Sequence, residues 1–336
     1  MSFMSVIVPV YNREAVIEKC LKGIRASVHK DYELIVVDCA STDKTLSIAK
    51  SYADILISLQ DKTERFQARS RGVADSKGEI IVNIDSDVLI RPDTLALIDD
   101  YFSENPDIGA LTGCLAKDNH CPGFFSQYKN LYMHYIFKRL PREVTFLYGS
   151  IYALRRTAWQ DYASYVRIAD DTALGQQLVS NGIKISFLKE LEVVHLKKYN
   201  LGSFIGNDFL VPFDWAGIFL KSNGWKQLGR NKTGFAHASR GQLVSVVLAP
   251  VIFILLSAGM LANSYLYTGL FMVLAWFFLN LRFFKFIAQE KGFIFAASAV
   301  FITFLDNLIM LSGIICGLFS YLITRQLFAK RISVWL

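Results

Sequence analysis

Through its first two hundred residues the chain alternates short apolar runs with segments of helical spacing. Ser5-Val6-Ile7-Val8-Pro9-Val10 has the β-branched composition of a buried strand and stops before Tyr11-Asn12. Residues 14–27 then put Val16, Ile17, Cys20, Leu21 and Ile24 on one helix face. Glu33-Leu34-Ile35-Val36-Val37-Asp38 predicts a second strand, and Ser41-Thr42-Asp43 caps a helix reaching about Tyr52. A third strand is expected at 53–57, a helix at 65–75 and an apolar strand at 79–84. Alternation this dense predicts parallel pairing with right-handed crossovers, and hence an open α/β sheet. Ligands bind such sheets beyond the strand C-termini. Pro9, Tyr11, Asn12, Asp38, Asp85 and Asp87 all fall on that edge.

Beyond residue 242 the pattern changes. Charge almost disappears over 243–323, and 243–262 and 265–281 each approach the roughly 20 apolar residues that cross a bilayer. The run 293–323 is longer, interrupted by Asp306-Asn307, and predicts either one long span or a bent, re-entrant segment. The expected organisation is a catalytic domain over 1–202, an aromatic and basic linker over 203–241, membrane helices over 242–325 and a basic tail over 326–336. The linker carries Phe204, Phe209, Phe213, Trp215, Phe219 and Trp225 among basic residues, which suits helices lying in the membrane interface. Ordinary packing is the alternative. In the interfacial case it would hold one edge of the sheet at the bilayer.

Composition narrows the picture. The chain has 336 residues and a formal charge of +7, with 53% hydrophobic residues. Lys221, Lys226, Arg230, Lys232 and Arg240 precede the first apolar run; Arg282, Lys285 and Lys291 follow the second; Arg325, Lys330 and Arg331 follow the last. The positive-inside tendency assigns all three groups to the cytoplasmic side, with Asn263-Ser264 as the outward turn. Met1 to Val10 reads as a strand rather than a leader, so the front domain is expected in the cytosol of a multi-pass membrane protein. The basic residues therefore ask for a bilayer and not for nucleic acid. Cys20, Cys39, Cys114, Cys121 and Cys316 show neither CxxC spacing nor a histidine cluster, which argues against a zinc or disulfide framework.

The chemistry concentrates at Ile84-Asp85-Ser86-Asp87. Strand alternation sends both carboxylates to one side, where they repel unless a cation or hydrogen-bond donors intervene. Hard oxygen ligands suit Mg²⁺ or Mn²⁺, held by one or two carboxylates plus substrate phosphates. Arg65 and Arg69, four apart on a helix, could face a diphosphate or form a solvated face. Asp170-Asp171 opens a helix, where aspartate also serves as an N-cap. His195 closes the strand Leu191-Glu192-Val193-Val194.

These blocks resemble glycosyltransferase family 2. Val6-Ile7-Val8-Pro9-Val10-Tyr11-Asn12, Glu33 to Asp38 with Ser41-Thr42-Asp43, Ala68-Arg69 with Gly72, and Ile84-Asp85-Ser86-Asp87 follow in the family's order. Gly149-Ser150 with Arg155-Arg156, Asp170-Asp171 with Leu174, and Gly182-Ile183-Lys184 resemble its acceptor-side blocks. The resemblance covers about the first 200 residues. It implies a GT-A fold, an open mixed sheet flanked by helices, and inverting transfer of a sugar from a UDP- or GDP-sugar with Mg²⁺ or Mn²⁺. By the same resemblance Pro9, Tyr11, Asn12, Glu14, Asp38, Arg65, Arg69, Asp85 and Ser86 bind the nucleotide sugar. Asp87, Asp85 and a late histidine, His195, hold metal; Asp171 is the general base beside Asp170; Gly149 and Ser150 line the acceptor side. The chain departs from the pattern at Cys39 and Ala40, beside the donor aspartate, and at Asp170, where a glutamate is usual. The expected acceptor is a hydroxyl of a lipid-linked, polyprenyl-diphosphate type glycan. Transfer to polyprenyl phosphate, and a catalytically inactive membrane-anchored binding protein, are the alternatives. A processive synthase fits less well, because the spans are few and no QxxRW-like block follows His195.

Overall fold

The computed structural model describes residues 1–159, 169–225 and 235–333. The chain divides into two units, Met1–Lys198 and Tyr199–Leu336. Lys226, Arg230 and Lys232, and the tail side chains Arg325, Lys330 and Arg331, lie outside the described residues and side chains.

The first unit runs β1 (Met4–Val10), α1 (Ile17–Arg25), β2 (Tyr32–Asp38), α2 (Thr45–Lys50), β3 (Ile55–Ser58), α3 (Arg65–Ala74), β4 (Ile80–Ile84), β5 (Val88–Leu89) and α4 (Thr94–Glu104). It continues with β6 (Ala110–Leu115), α5 (Phe124–Phe137), β7 (Glu143–Val144), β8 (Ile151–Arg155), α6 (Asp170–Ser180) and β9 (Ile185–His195). The strands form a sheet in the order β3-β2-β1-β4-β8-β6-β9-β5, with β7 also on β9. The first half matches the expected parallel alternation, since β2 and β4 flank β1 in parallel and β3 adds to β2. The second half is mixed: β8 runs antiparallel between β4 and β6, and β9 lies parallel to β6. Strands β1 and β4 are buried on both faces, which is why they read as unbroken apolar runs.

The helix α1 starts at Ile17, three residues later than the spacing predicts. The reason is hydrogen bonding in the preceding loop. Asn12 has φ 48°, and the amides of Asn12, Arg13 and Glu14 donate to Ser41 Oγ, Thr45 Oγ1 and Asp43 Oδ2. These bonds brace the β1–α1 loop on the β2–α2 loop and hold the following residues out of the helix.

The second unit contains α7 (Leu201–Lys221), α8 (Arg240–Ala258), α9 (Asn263–Lys291) and α10 (Phe293–Ser333). Three stretches, Arg240–Ala258, Asn263–Lys291 and Phe293–Ile323, are long and apolar enough to cross a membrane. Helix α10 passes through Asp306-Asn307 without a break. The turn before α9 falls at Gly259 to Ala262, and the expected turn residues Asn263-Ser264 open the helix instead. The interruption in hydropathy is internal pairing: Asn307 and Asn280 both donate to Ser245 Oγ, at 2.9 and 2.8 Å, joining α10, α9 and α8. Helix α7 packs along α10 at Gly313 and Gly317, where an added Cβ would come within 2.2 Å of Phe209 O and 2.3 Å of Phe213 O. Small residues at this spacing let two helix backbones approach closely.

Candidate active site

The carboxylates lie where the apolar strands end. β2 delivers Asp38 and β4 delivers Asp85, Ser86 and Asp87. Asp38 is buried, its Oδ2 accepts from the Ser41 amide at 3.0 Å, and its Oδ1 has no partner among the described residues. Pro9 sits in β1 in register with Val37, next to Asp38. Tyr11 is half-buried under Lys62, whose Nζ lies 4.6 Å from the ring centroid. Asn12 and Glu14 brace loops, their side chains accepting from the Thr42 and Lys44 amides at 2.8 and 3.0 Å.

Arg69 is the hub. It is 1% exposed, and its terminal nitrogens donate to Asp170 Oδ2, to Asp85 Oδ1 at 2.8 Å and to the Gly149 carbonyl at 3.4 Å. Both terminal nitrogens of Arg69 thus bridge internal carboxylates. Arg65, on the same helix, is half-exposed and stands 3.6 Å from Asp170 Oδ1. Asp170 and Asp171 both lie inside the first turn of α6, whose N-cap is Ala169. There the helix dipole favours negative charge. Asp171 Oδ2 accepts from the Gly149 amide at 2.5 Å and Oδ1 from the Thr172 amide at 2.6 Å. A Cβ added at Gly149 would stand 2.9 Å from Asp171 Oδ2, so a larger residue here would have to displace that carboxylate. Ser150 is buried, and its carbonyl accepts from the Asp85 amide at 3.3 Å. The two ends of the site are thereby tied through Arg69 and the Gly149-Ser150 backbone.

Burial and the neighbouring Asp170 charge push the Asp171 carboxyl up to about 6, against the pull of Arg69 and Arg65. Burial likewise raises Asp85, while Arg69 and Arg65 oppose it. Asp87 goes the other way. Burial disfavours its charge, but His195, Lys197 and Arg13 outweigh that and hold it below the usual carboxylate range.

His195 reaches Asp87 through strand pairing. β5 and β9 are antiparallel with Val88 opposite His195, and the Leu196 amide donates to Asp87 O at 2.7 Å. This places His195 Nε2 3.5 Å from Asp87 Oδ1, both side chains slightly exposed. A carboxylate oxygen and an imidazole nitrogen so held can share one divalent cation, the other positions falling to phosphate oxygens and water. No cluster of three or more His, Cys, Asp or Glu side chains poised for a metal occurs among the described residues, so such a cation would depend on its substrate for ligands. Ser86 is buried between the two acids.

Two basic residues at this site escaped the pattern. Arg13 Nε lies 3.9 Å from Asp87 Oδ2. Lys197 is half-buried and faces Asp87 and Asp85, burial lowering its pKa against their attraction. Each adjoins a residue already singled out, Arg13 following Asn12 and Lys197 lying two beyond His195, and that adjacency was the only signal available.

A mixed sheet with helices on its flanks and acids gathered at its strand ends is an architecture of the GT-A type. Residues 5–163 match the family model described as Glycosyl transferase family 2. Residues 5–163 therefore carry a domain of that family. Glycosyltransferase AglE of Haloferax volcanii is 36% identical over 92 residues, which is 25% of this chain and 30% of that protein. Putative glycosyltransferase EpsH of Bacillus subtilis is 34% identical over 94 residues, 27% of each chain. The match therefore spans less than a third of these curated relatives. Among solved structures, mannosyltransferase PcManGT of Pyrobaculum calidifontis, in complex with GDP-Man and Mn²⁺, superposes with a TM-score of 0.60 at 18% identity. That likeness, in fold, covers 95% of this chain and 88% of the other.

Proposed function

We propose that the protein is a membrane-bound, inverting, metal-dependent glycosyltransferase that moves a sugar from a UDP- or GDP-sugar to a hydroxyl of a lipid-linked, polyprenyl-diphosphate type glycan. The observation that carries this reading is the Arg69 bridge, which sets Asp170-Asp171 beside the strand-end acids Asp85 and Asp87. The buried, unpartnered Asp38 Oδ1 accepts a hydrogen bond from the base or ribose of the donor. Asp87 and His195 hold the cation, and Arg13, Arg65 and Lys197 add positive charge around the diphosphate. The cation, when bound, offsets the charge that develops on the departing nucleoside diphosphate. Asp171 takes the proton from the acceptor hydroxyl as its oxygen bonds the anomeric carbon and the bond to the diphosphate breaks. A carboxyl raised to about 6 is suited to this work near neutrality. A phosphate acceptor is already ionised and has no proton to give, so this base favours the hydroxyl acceptor over polyprenyl phosphate. The three long apolar helices support membrane attachment, and the basic residues of 221–240 support a cytoplasmic catalytic unit.

The test is turnover by the full chain in detergent. UDP- and GDP-sugars are offered with Mn²⁺ or Mg²⁺ and either a polyprenyl-diphosphate-linked saccharide or polyprenyl phosphate. Transfer to the saccharide, abolished by chelator and by Asp87→Asn, is expected. Transfer to polyprenyl phosphate alone, or none with any donor, overturns the proposal.

A further inference from the structure

Asn83 is out of place in its strand. β4 reads Ile80-Ile81-Val82-Asn83-Ile84 and is buried throughout, and neither atom of the Asn83 amide is hydrogen-bonded among the described residues. Its face is fixed by its neighbours. Asn83 is in register with Ile7 of β1 and with Tyr152 of β8, and partners in register share a face. Ile7 lies under α3, since a Cβ added to Gly72 would come within 2.6 Å of Ile7 Cγ2. Arg69 precedes Gly72 by three residues and so shares that helix face. Its guanidinium carbon stands 5.5 Å from the centroid of the Tyr152 ring.

Ile7, Asn83 and Tyr152 therefore form a row beneath the side of α3 that carries Arg69. Among the described residues, polar atoms without hydrogen-bond partners occur in this row and on the helix above it: Asn83 Nδ2 and Oδ1, the Tyr152 hydroxyl and Arg69 Nε. Groups of this kind carry their full desolvation cost unless something satisfies them. They are also chemically complementary. Arg69 Nε can only donate, whereas the amide and the phenol can each donate and accept. A buried water commonly makes about three hydrogen bonds to such groups.

The geometry points to a buried water site beneath Arg69, through which Asn83 and Tyr152 hold the guanidinium by its Nε–H and so act as positioning residues for the Asp85–Arg69–Asp170 bridge. The outer nitrogens of Arg69 choose the two carboxylates, and this inner contact fixes the plane of the fork. Tyr152 adds its ring face to the same restraint. The site stands on packing alone; only its effect on turnover rests on Asp171 being the base.

Full-length protein labelled with ¹⁵N-arginine, in detergent, separates the two. The Arg69 Nε–H resonance, assigned by its loss in Arg69→Lys, should resist exchange with solvent in the unmodified protein. It should exchange at least tenfold faster in Tyr152→Phe and Asn83→Leu, with melting temperatures within a few degrees of the original. Where turnover is established, both variants should lose roughly tenfold in kcat with donor KM within twofold, since small misplacements at a reacting centre act on the chemical step. Tyr152→Phe should add nothing in an Arg69→Lys background, because coupled residues are non-additive. Unchanged protection in both variants would overturn the inference whether or not the protein transfers sugar, and additive kcat losses with Arg69→Lys would overturn it where turnover is established.

Discussion

Replacing Arg69 by Met should expose how strongly the site depends on one cation. The substitution keeps most of the volume but leaves Asp170 and Asp85, 7% and 17% exposed in their side chains, without their buried counter-charge, the half-exposed Arg65 being the cation that remains beside Asp170. Removing one partner of a buried ion pair costs about 3–5 kcal/mol. The carboxylates have an escape, which is to take up a proton. An ordinary aspartate titrates near 3.8, so protonating one costs about 5 kcal/mol at pH 7.5 but only about 1.6 kcal/mol at pH 5. The sign follows. In the variant these carboxyls titrate above their unfolded value, so stability is full below that value and is lost as pH rises through the folded one. At about 2–4 °C per kcal/mol for a domain of this size, the variant should melt about 6–20 °C below the parent at pH 7.5. At pH 5 the deficit should be less than half that. Thermal unfolding of the full chain in detergent at the two pH values measures it. Arg69→Met combined with Asp85→Asn and Asp170→Asn should regain most of the loss, since no unpaired charge remains. A deficit independent of pH, or a triple variant as unstable as the single one, refutes the reasoning.

Other substitutions test other parts of the site. Asp171→Asn should lower kcat by roughly 10²–10⁴ with donor binding retained, as for a lost general base. In the parent, kcat/KM should fall below about pH 6 as Asp171 gains its proton, a limb absent from the residual rate of the variant. Gly149→Ala drives a methyl to 2.9 Å from Asp171 Oδ2, and should reduce kcat at least tenfold with little effect on melting temperature; an unchanged rate would show that Asp171 can shift freely. Gly317→Leu meets the Phe213 carbonyl at 2.3 Å and should separate α7 from α10, seen as rapid proteolysis near residue 221 with donor binding by the first unit intact.

How much of this was legible in the sequence depended on how far apart the interacting residues lie. The parallel half of the sheet and its acidic edge were visible because β1, β2 and β4 are apolar runs buried on both faces, with polar residues at or just beyond their ends: Tyr11-Asn12, Asp38 and Asp85. The antiparallel half was not, since β5, β7 and β8 are short and their pairing is fixed by partners tens of residues away. Arg69 shows the limit most clearly. Its helical position was read correctly, but its partner Asp170 lies 101 residues further on, and local periodicity carries no information about that distance. His195 was chosen as the end of an apolar strand, and only the β5–β9 pairing puts it beside Asp87. The polar break in the last apolar run was likewise ambiguous until Ser245 and Asn280 appeared opposite Asn307.

That long separation between Arg69 and Asp170 also bears on how the protein comes into being. As the chain leaves the ribosome, the donor-side strands and α3 emerge well before α6, so a half-made molecule can fold its nucleotide cradle while its arginine still lacks one of two anions. Contacts so distant in sequence form late, because closing the long intervening loop is entropically unfavourable. On the proposed reading, the proton-accepting end is therefore added last, and a truncated or stalled chain would hold nucleotide sugar without being able to discharge it.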